Sequence, residues 1–334
     1  MKTVYLKDLP PAPAEKAGWP WKEEPKGLVG INTTQCNCPK ITIVTPCYNH
    51  DAYLEETIRS VLLQNYPNLE YIVIDGGSKD ASIEIIKKYT KWIDYWVSEK
   101  DSGQSEAINK GFKRAKGEIL AWLNSDDLYE PGALHRIGCL YQKHKGKVIA
   151  GQIIDFDHTT KEETLTRQYN ISFEKIVKFW EGNHWWHQPG MFFPAGAVRQ
   201  VGYLDENLHF GMDYDLLCRL TRNCETLCIE DTLARFRMHN ASKTVSNRHL
   251  SMYESSVISK KYWHLLGLKT SNAHDRIVTL WFVKRANYFF KRLYWRIAYK
   301  NIKLSLSISK KYTVWSMVKE LLRMLKGGRF TSAT

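Results

Sequence analysis

The sequence has no uninterrupted run of about 18 apolar residues, the length that a membrane-spanning helix needs. Its first 25 residues contain no apolar stretch of the kind that marks a secretory leader. The seven cysteines lack the paired spacing of a zinc site, and without an export signal they are expected to be reduced thiols. We therefore expect a cytoplasmic protein whose cysteines hold no structural metal.

Several catalytic and nucleotide-binding motifs are also absent. There is no G-x-G-x-x-G after the first predicted strand, no G-x-x-x-x-G-K-[ST], no H-E-x-x-H and no G-x-S-x-G. Their absence disfavours a classical dehydrogenase, a P-loop ATPase, a zinc protease and an α/β-hydrolase. A nucleotidyltransferase is disfavoured as well, because the segment 48–51 after the first strand is not a glycine-rich basic loop.

Positive charge is concentrated at the C-terminal end. The chain carries 48 Lys and Arg against 35 Asp and Glu, a net charge of +13. From Ser251 onward there are 17 basic residues and three acidic ones, whereas 31 basic and 32 acidic residues precede it. The sequence therefore predicts a neutral body followed by a strongly basic tail.

The sequence divides into three predicted parts. Residues 1–40 contain six prolines and two tryptophans, which predict an extended arm that docks on the body. Residues 41–250 contain alternating strand and helix patterns. Residues 251–334 predict a basic amphipathic helical region, in which apolar residues recur at Val283, Phe290, Ile297 and Leu304. Such helices suit an anionic membrane surface, and a helical cap packed on the domain is the alternative.

The central part predicts an α/β domain. Strands are predicted at 41–45, 71–74, 95–97 and 118–123, with helices at 51–65, 82–89, 105–115 and 131–144 between and after them. After Gly151 the pattern is less regular, with helices at 195–201 and 213–222 and strands at 226–229 and 233–237. This alternation predicts a Rossmann-type, mostly parallel sheet with helices on both faces.

Ligands of such sheets bind beyond the carboxyl ends of the strands, where several acids of this chain lie. Asp126 and Asp127 follow a predicted strand, and paired carboxylates there can hold Mg²⁺ or Mn²⁺ together with substrate phosphates. Asp75 ends another strand, and its carboxylate can accept the imide N–H of uracil or thymine. The alternative for both sites is a polar turn, because Asn, Ser, Asp and Gly all favour turns.

Three motifs together resemble the inverting nucleotide-sugar glycosyltransferases with a GT-A fold, a family that also contains the cellulose and hyaluronan synthases. They are Ile43–Asn49, Val73–Asp80 and Asn124–Asp127. Similar segments occur, in the same order, at Glu99–Ser105, Asn109–Gly111, Gln188–Gly190, Met212–Asp215 and Arg237–His239. The Gln-x-x-Arg-Trp motif of the processive enzymes is absent, so the resemblance implies a non-processive member.

The resemblance also implies roles for individual residues. The donor would be bound by Pro46, Tyr48, Asn49, Asp75, Asp101, Gly103, Asn109 and Asp126. Asp127 and His239 would hold Mn²⁺ or Mg²⁺, and Asp213 would be the general base. Trp186, Gln188 and Asp215 would lie on the acceptor side. The chain departs from the family pattern at Gly76, Asn124 and Met212, each of which stands where an acid is common.

These features predict an inverting, metal-assisted glycosyltransferase that moves one sugar from a nucleoside-diphosphate sugar to a hydroxyl of a glycan or lipid-linked acceptor. The basic tail predicts a peripheral position on the inner face of the cytoplasmic membrane. The alternatives are a nucleic-acid-binding protein that uses the tail, and an inactive glycosyltransferase-like scaffold. No nucleic-acid partner is expected, because the body is neutral and has no recognition helix or RNA-binding aromatic signature.

Overall fold

The structure is a computed structural model. It describes residues 4–24, 38–239, 242, 248–267, 274–283, 295–310, 312–314 and 317. The chain divides into two compact units: unit 1 comprises Met1–Ser172 and Trp185–Ser242, and unit 2 comprises Phe173–His184 and Lys243–Thr334. The N-terminal arm thus belongs to unit 1, and unit 2 takes a short segment from the predicted central domain.

Unit 1 is built on a nine-stranded sheet. The strands are β1 (Ile41–Cys47), β2 (Leu69–Asp75), β3 (Tyr95–Ser98), β4 (Ile119–Trp122), β5 (Leu128–Tyr129), β6 (Val148–Asp157), β7 (Glu163–Thr166), β8 (Met191–Pro194) and β9 (Thr226–Met238). Their order is β3-β2-β1-β4-β8-β6-β9-β5, with β7 paired to β6. The helices are α1 (Asp51–Leu62), α2 (Ser82–Tyr89), α3 (Gln104–Arg114), α4 (Ala133–Lys143), α6 (Ala195–Val201) and α7 (Met212–Thr221). A further short helix, α5 (Phe173–Val177), belongs to unit 2.

The first half of the sheet is parallel, as predicted. β1 pairs in parallel with β2 on one side and with β4 on the other, and β2 pairs in parallel with β3. The chain order reverses between β1 and β4, and ligands of such sheets bind beyond the carboxyl ends of the strands at such a point. The register places Cys47 opposite Asp75, which brings the ends of β1 and β2 together.

The second half of the sheet is mixed, which the sequence pattern did not indicate. β8 is antiparallel to both β4 and β6, whereas β6 and β9 are parallel. The two strands predicted at 226–229 and 233–237 form one strand of 13 residues. The register between β6 and β9 shifts on both sides of Gln152, whose partner is Thr232. Thr232 lies in the gap between the two predicted strands.

Side chains of β1 alternate between two covered faces of the sheet. Ile41 and Ile43 belong to a core cluster with Leu54 and Ile58 of α1, together with apolar residues of α2 and α4. On the opposite face, Val44 lies against Gly111 of α3, where an added Cβ would come within 2.5 Å of the valine. The predicted α/β sheet with helices on both faces is therefore confirmed.

The described part of the N-terminal arm docks on unit 1, as the tryptophans predicted. Arg59 of α1 is almost completely buried, and its guanidinium donates to the carbonyl oxygens of Pro10, Pro20 and Trp21 at 2.9–3.2 Å. The Trp19 indole N–H donates to the carbonyl of Tyr129 at 2.9 Å. One buried side chain thus satisfies three backbone groups of a segment that has no regular sheet partner.

Unit 2 is helical where it is described. Its helices include α5, α8 (Arg248–Trp263), α9 (274–283) and α10 (Trp295–Ile308). Val278 and Phe282 form its core, packed against Trp180, Tyr253, Trp281 and other apolar side chains. The part of the predicted amphipathic tail at 284–294 and 318–334 lies outside the described residues. Across the described part of the chain, no helix combines the length and the apolar character needed to cross a membrane.

Candidate active site

The end of β1 and the loop after β2 form one wall of the candidate site. Pro46 lies within β1, opposite Ile74, and the ring of Tyr48 is 58% exposed just beyond the strand. Asn49 has a left-handed backbone conformation with φ of 51°. Its amide oxygen accepts from the backbone N–H of Lys79, and its own N–H donates to Ser78 Oγ, both at 2.8 Å. Asn49 therefore joins the two loops, and Tyr48 is left free to stack on a ligand.

The Asp75 carboxylate is buried beneath this wall. Oδ2 accepts from the backbone N–H groups of Gly77 and Ser78 and from the Ser98 hydroxyl. Oδ1 accepts from the Ser78 hydroxyl. Asp75 thus organises a polar turn, which was one of its two predicted roles. The turn lies at the position where the other prediction places a nucleotide base. Direct contact with a base is restricted to the remaining lone pair on Oδ1.

The departure at Gly76 has a steric explanation. A Cβ at this position would lie 2.7 Å from Asp101 Oδ2, so the Asp101 carboxylate occupies the space that a side chain at residue 76 would need. Burial raises the pKa of Asp101, and the backbone N–H of Gly103 opposes this by donating to Oδ1 at 3.0 Å. Gly103 itself has a φ of 141° and is the N-cap residue before α3, with no atom within 4 Å of an added Cβ. Asp101 therefore supplies a carboxylate next to residue 76, the position at which the resembled family commonly has an acid.

Asn109 does not face the crevice with a free amide. Its Nδ2 donates to the carbonyl of Leu204 at 2.9 Å and to Glu206 at 2.8 Å, and its Oδ1 accepts from the Leu204 N–H. These bonds fasten α3 to the loop before α7. The structure therefore does not support the prediction that Asn109 contacts the donor, because the donors of its amide are used within the protein.

The two acids after β4 have different surroundings. Asp127 is fully buried; its Oδ1 accepts from the Arg237 backbone N–H at 3.1 Å and its Oδ2 from the Asn124 amide at 3.2 Å. Asn124 in turn accepts from Gln104 at 2.7 Å. Burial, and then the negative charge of Asp126, raise the pKa of Asp127 well above its usual range. Asp127 is thus fixed beneath the surface of the site.

Asp126, by contrast, reaches His239. Its Oδ2 lies 3.0 Å from His239 Nε2. The structure thus places His239 next to Asp126, whereas the oxygens of Asp127 accept from N–H groups. The predicted metal role of Asp127 stays a prediction. Although the two acids are adjacent in sequence, their side chains have different hydrogen-bond partners, so their roles could not be predicted from adjacency.

The Asp126–His239 pair fits a divalent cation. Asp126 would hold the ion through a carboxylate oxygen and His239 through an imidazole nitrogen, and these two atoms now lie at hydrogen-bond distance, 3.0 Å apart. Such ions commonly take one or two protein ligands and complete their shell with substrate phosphates and water. Within the described residues there is no group of three or more His, Cys, Asp or Glu side chains placed to hold a metal by themselves. A site of this kind would therefore depend on the substrate's phosphates.

Sequence reasoning missed a polar and aromatic cluster around this pair. His50 Nδ1 lies 2.7 Å from the hydroxyl of Ser125, and the rings of His50 and His239 are 6.3 Å apart. Tyr53 contacts the rings of both His239 and His158, at 4.7 and 5.3 Å. The sequence did contain a signal for this cluster, because His50 directly follows Tyr48 and Asn49, the predicted donor-binding residues after β1.

The predicted acceptor side is built from two segments. The Trp186 ring stacks on Tyr214 of α7, with centroids 5.9 Å apart and planes 6° from parallel. Gln188 donates its amide to the carbonyl of Trp122, at 2.7 Å, two residues before Asn124. The Gln188 amide thus holds the segment around residue 188 against the end of β4. In the same segment, Trp186 is the predicted acceptor-side residue with an aromatic ring.

The two acids of α7 are clearly distinct. Asp213, in the first turn, is partly exposed, and its Oδ1 accepts from the Tyr214 N–H at 2.8 Å. Asp215 is 1% exposed and accepts from Arg219 Nε at 2.8 Å. The structure does not support the prediction that Asp215 binds the acceptor, because its carboxylate is buried in an ion pair. Asp213 directly precedes Tyr214 of the Trp186–Tyr214 stack, and its role as the base stays a prediction.

Comparisons with known proteins identify the family of the chain. A model of "Glycosyl transferase family 2" matches residues 42–198. An uncharacterized glycosyltransferase of Rickettsia typhi is 31% identical over 223 residues, which are 65% of this chain and 70% of that protein. One from Rickettsia felis is 30% identical over 243 residues, and there the match spans 39% of the relative.

Solved structures share the fold. A structure of S. aureus TarS 1-349 in complex with UDP-GlcNAc superimposes with a TM-score of 0.57 at 14% identity, covering 87% of this chain and 93% of that one. The likeness confirms the predicted GT-A-like fold. The family model and the Rickettsia typhi relative lead to one assignment: the chain belongs to glycosyl transferase family 2.

Proposed function

We propose that the protein is an inverting, non-processive glycosyltransferase that uses a nucleoside-diphosphate sugar and a hydroxyl acceptor. The observation that supports this most directly is the Asp126–His239 pair at the carboxyl ends of β4 and β9, close to His50 at the end of β1. The TarS 1-349 structures in complex with UDP-GlcNAc and with UDP support a nucleotide sugar as the donor class.

On the donor side, each residue has a physical task. Tyr48 offers an exposed ring for stacking on the base. Asp75 holds the Ser78 and Ser98 hydroxyls in place by accepting hydrogen bonds from both. Asp101 offers a carboxylate for the ribose hydroxyls. Asp126 and His239 would hold Mn²⁺ or Mg²⁺, which when bound supplies Lewis-acid stabilisation of the departing diphosphate.

On the acceptor side, Asp213 acts as general base. Its carboxylate takes the proton from the acceptor hydroxyl while that oxygen forms the new bond to the anomeric carbon. The bond between this carbon and the diphosphate oxygen breaks on the opposite face, and its electron pair leaves with the diphosphate. No second, protonated carboxylate is needed, in contrast to glycoside hydrolysis.

The donor proposal is tested by a thermal-shift screen of UDP, dTDP and GDP with and without Mn²⁺. Binding to the folded state adds about 2.7 kcal/mol of apparent stability at one hundred times the dissociation constant. We expect one diphosphate to raise the melting temperature more than the others, and only in the presence of Mn²⁺. The proposal is wrong if no diphosphate shifts the transition under either condition.

We further propose that unit 2 places the enzyme on an anionic membrane surface, where a lipid-linked acceptor would be reached. Several of its described apolar residues are exposed, among them Val257 on α8 and Tyr299 and Leu306 on α10, with Tyr299 67% exposed. Lys260, Lys261 and Lys303 lie on the same two helices. Apolar and cationic side chains together favour binding to anionic lipid.

Membrane binding is tested by co-sedimentation of the full chain with vesicles. We expect binding to phosphatidylserine-rich vesicles that weakens with added salt, weak binding to pure phosphatidylcholine, and reduced binding after combined Tyr299→Ser and Leu306→Ser changes. Equal binding to both vesicle types contradicts the proposal. A preference for duplex DNA over the vesicles at the same salt concentration would favour the nucleic-acid alternative instead.

A further inference from the structure

Arg237 lies near the end of β9 with its side chain enclosed. It is 3% exposed, and its register partner in β6 is Phe156. The guanidinium carbon lies 4.7 Å from the Phe156 ring centroid and 5.0 Å from that of Tyr53. A charge held between two rings has little freedom to move, so its hydrogen bonds have fixed directions.

Those hydrogen bonds are directed at the candidate metal site. Arg237 Nε donates to the carbonyl oxygen of Asp126 at 2.8 Å, and the Arg237 backbone N–H donates to the Asp127 carboxylate at 3.1 Å. The remaining nitrogens reach Glu56 and His158, both at 3.2 Å. One residue therefore fixes both acids after β4, and Glu56 balances its charge.

His239 follows Arg237 by two residues on the same segment. Its Nε2 reaches Asp126 Oδ2 at 3.0 Å, so this segment contacts Asp126 twice, once at the main chain and once at the side chain. If Arg237 releases the carbonyl of Asp126, the separation between the two proposed ligand atoms is no longer fixed. Groups that orient metal ligands in this way typically contribute about 10–100-fold to metal affinity.

We propose that Arg237 is a positioning residue that sets the geometry of the Asp126–His239 pair for the cation and the donor diphosphate. This inference rests on the proposed function. It assigns Arg237 no contact with substrate. Lysine would not replace it, because a single ammonium group cannot donate to Asp126, His158 and Glu56 in one plane while stacked between two rings.

Arg235 provides a matched control. It lies two residues earlier on β9, its guanidinium carbon is 5.2 Å from the same Phe156 ring, and it pairs with Glu130 at 3.1 Å and with Glu163. Its described hydrogen bonds go to these glutamates, away from Asp126 and Asp127. An Arg235→Met change thus removes a comparable stacked and paired arginine from the same strand without disturbing the proposed ligands.

The test measures Mn²⁺ binding by titration with electron paramagnetic resonance detection, in the presence of the diphosphate that binds best, alongside the melting temperature of each variant. We expect Arg237→Met to raise the dissociation constant of Mn²⁺ about 10–100-fold, Arg237→Lys to behave similarly, and Arg235→Met to stay within about twofold of wild type. At saturating Mn²⁺, the turnover of Arg237→Met should recover in part.

Two outcomes overturn the inference. One is a lower melting temperature for Arg237→Met with unchanged Mn²⁺ affinity, since this is the signature of a merely structural arginine. The other is equal loss of affinity in Arg235→Met. If Arg237→Met does not fold, Glu56→Gln loosens the guanidinium without removing it, and unchanged Mn²⁺ affinity in that variant also overturns the inference. A wild-type chain that binds no Mn²⁺ instead refutes the metal proposal itself.

Discussion

Replacing Asp126 by Asn is expected to lower the sugar-transfer rate by about 10²–10³-fold, the typical effect of removing one preorganised group that stabilises developing charge. The amide keeps the size of the side chain but loses the negative charge beside His239. Initial rates at saturating donor, measured over a range of Mn²⁺ concentrations, check this prediction. The melting temperature should change little, because the amide has the size of the carboxylate and can still form a hydrogen bond with His239 Nε2.

Asp127→Asn is the informative comparison, because the sequence alone favoured Asp127 as the metal ligand. Both oxygens of Asp127 accept from N–H groups. In Asp127→Asn the new NH₂ group would face one of these N–H donors, so one buried hydrogen bond would be lost. We expect a loss of about 1–3 kcal/mol in the free energy of unfolding, with Mn²⁺ affinity reduced less than in Asp126→Asn. The opposite ranking of Mn²⁺ affinities would return the role of ligand to Asp127.

The first half of the fold follows from local sequence patterns. Apolar, largely β-branched runs separated by amphipathic segments predict β1, β2, β3 and β4 and the helices between them, and this part of the sheet is parallel as expected. In the second half, β6 and β8 were not predicted. β8 pairs antiparallel with β4 and β6, and β6 pairs in parallel with β9, all across long sequence separations. Local periodicity carries no information about which distant strand becomes a neighbour.

The site was predictable at the level of strand ends but not of individual side chains. The strand ends brought His239 and the acids after β4 to one place, but the strand pattern did not show that Asp126 is the acid in contact with the histidine. Asn109 is engaged by Leu204, 95 residues away, which no motif could show. The ion pair of Asp215 was easier to predict from the sequence, because Arg219 lies four residues later on the same helix face.

Asp213→Asn is expected to lower the transfer rate by about 10²–10⁴-fold, the usual contribution of a positioned general base. The asparagine can still accept from the Tyr214 N–H, so the start of α7 and the donor side should be retained. The measurement is the rate at saturating acceptor, together with the thermal shift produced by the diphosphate and Mn²⁺. The shift should match wild type while the rate falls.

Asp215→Asn, two residues along the same helix, separates catalysis from stability. Breaking its buried ion pair with Arg219 is expected to cost about 3–5 kcal/mol of unfolding free energy, with the rate per folded molecule close to wild type. If Asp213→Asn instead loses stability and keeps its rate, another group must remove the acceptor proton. Because a base and a buried ion pair respond in opposite ways to the same chemical change, the two variants together decide which acid of α7 does the chemistry.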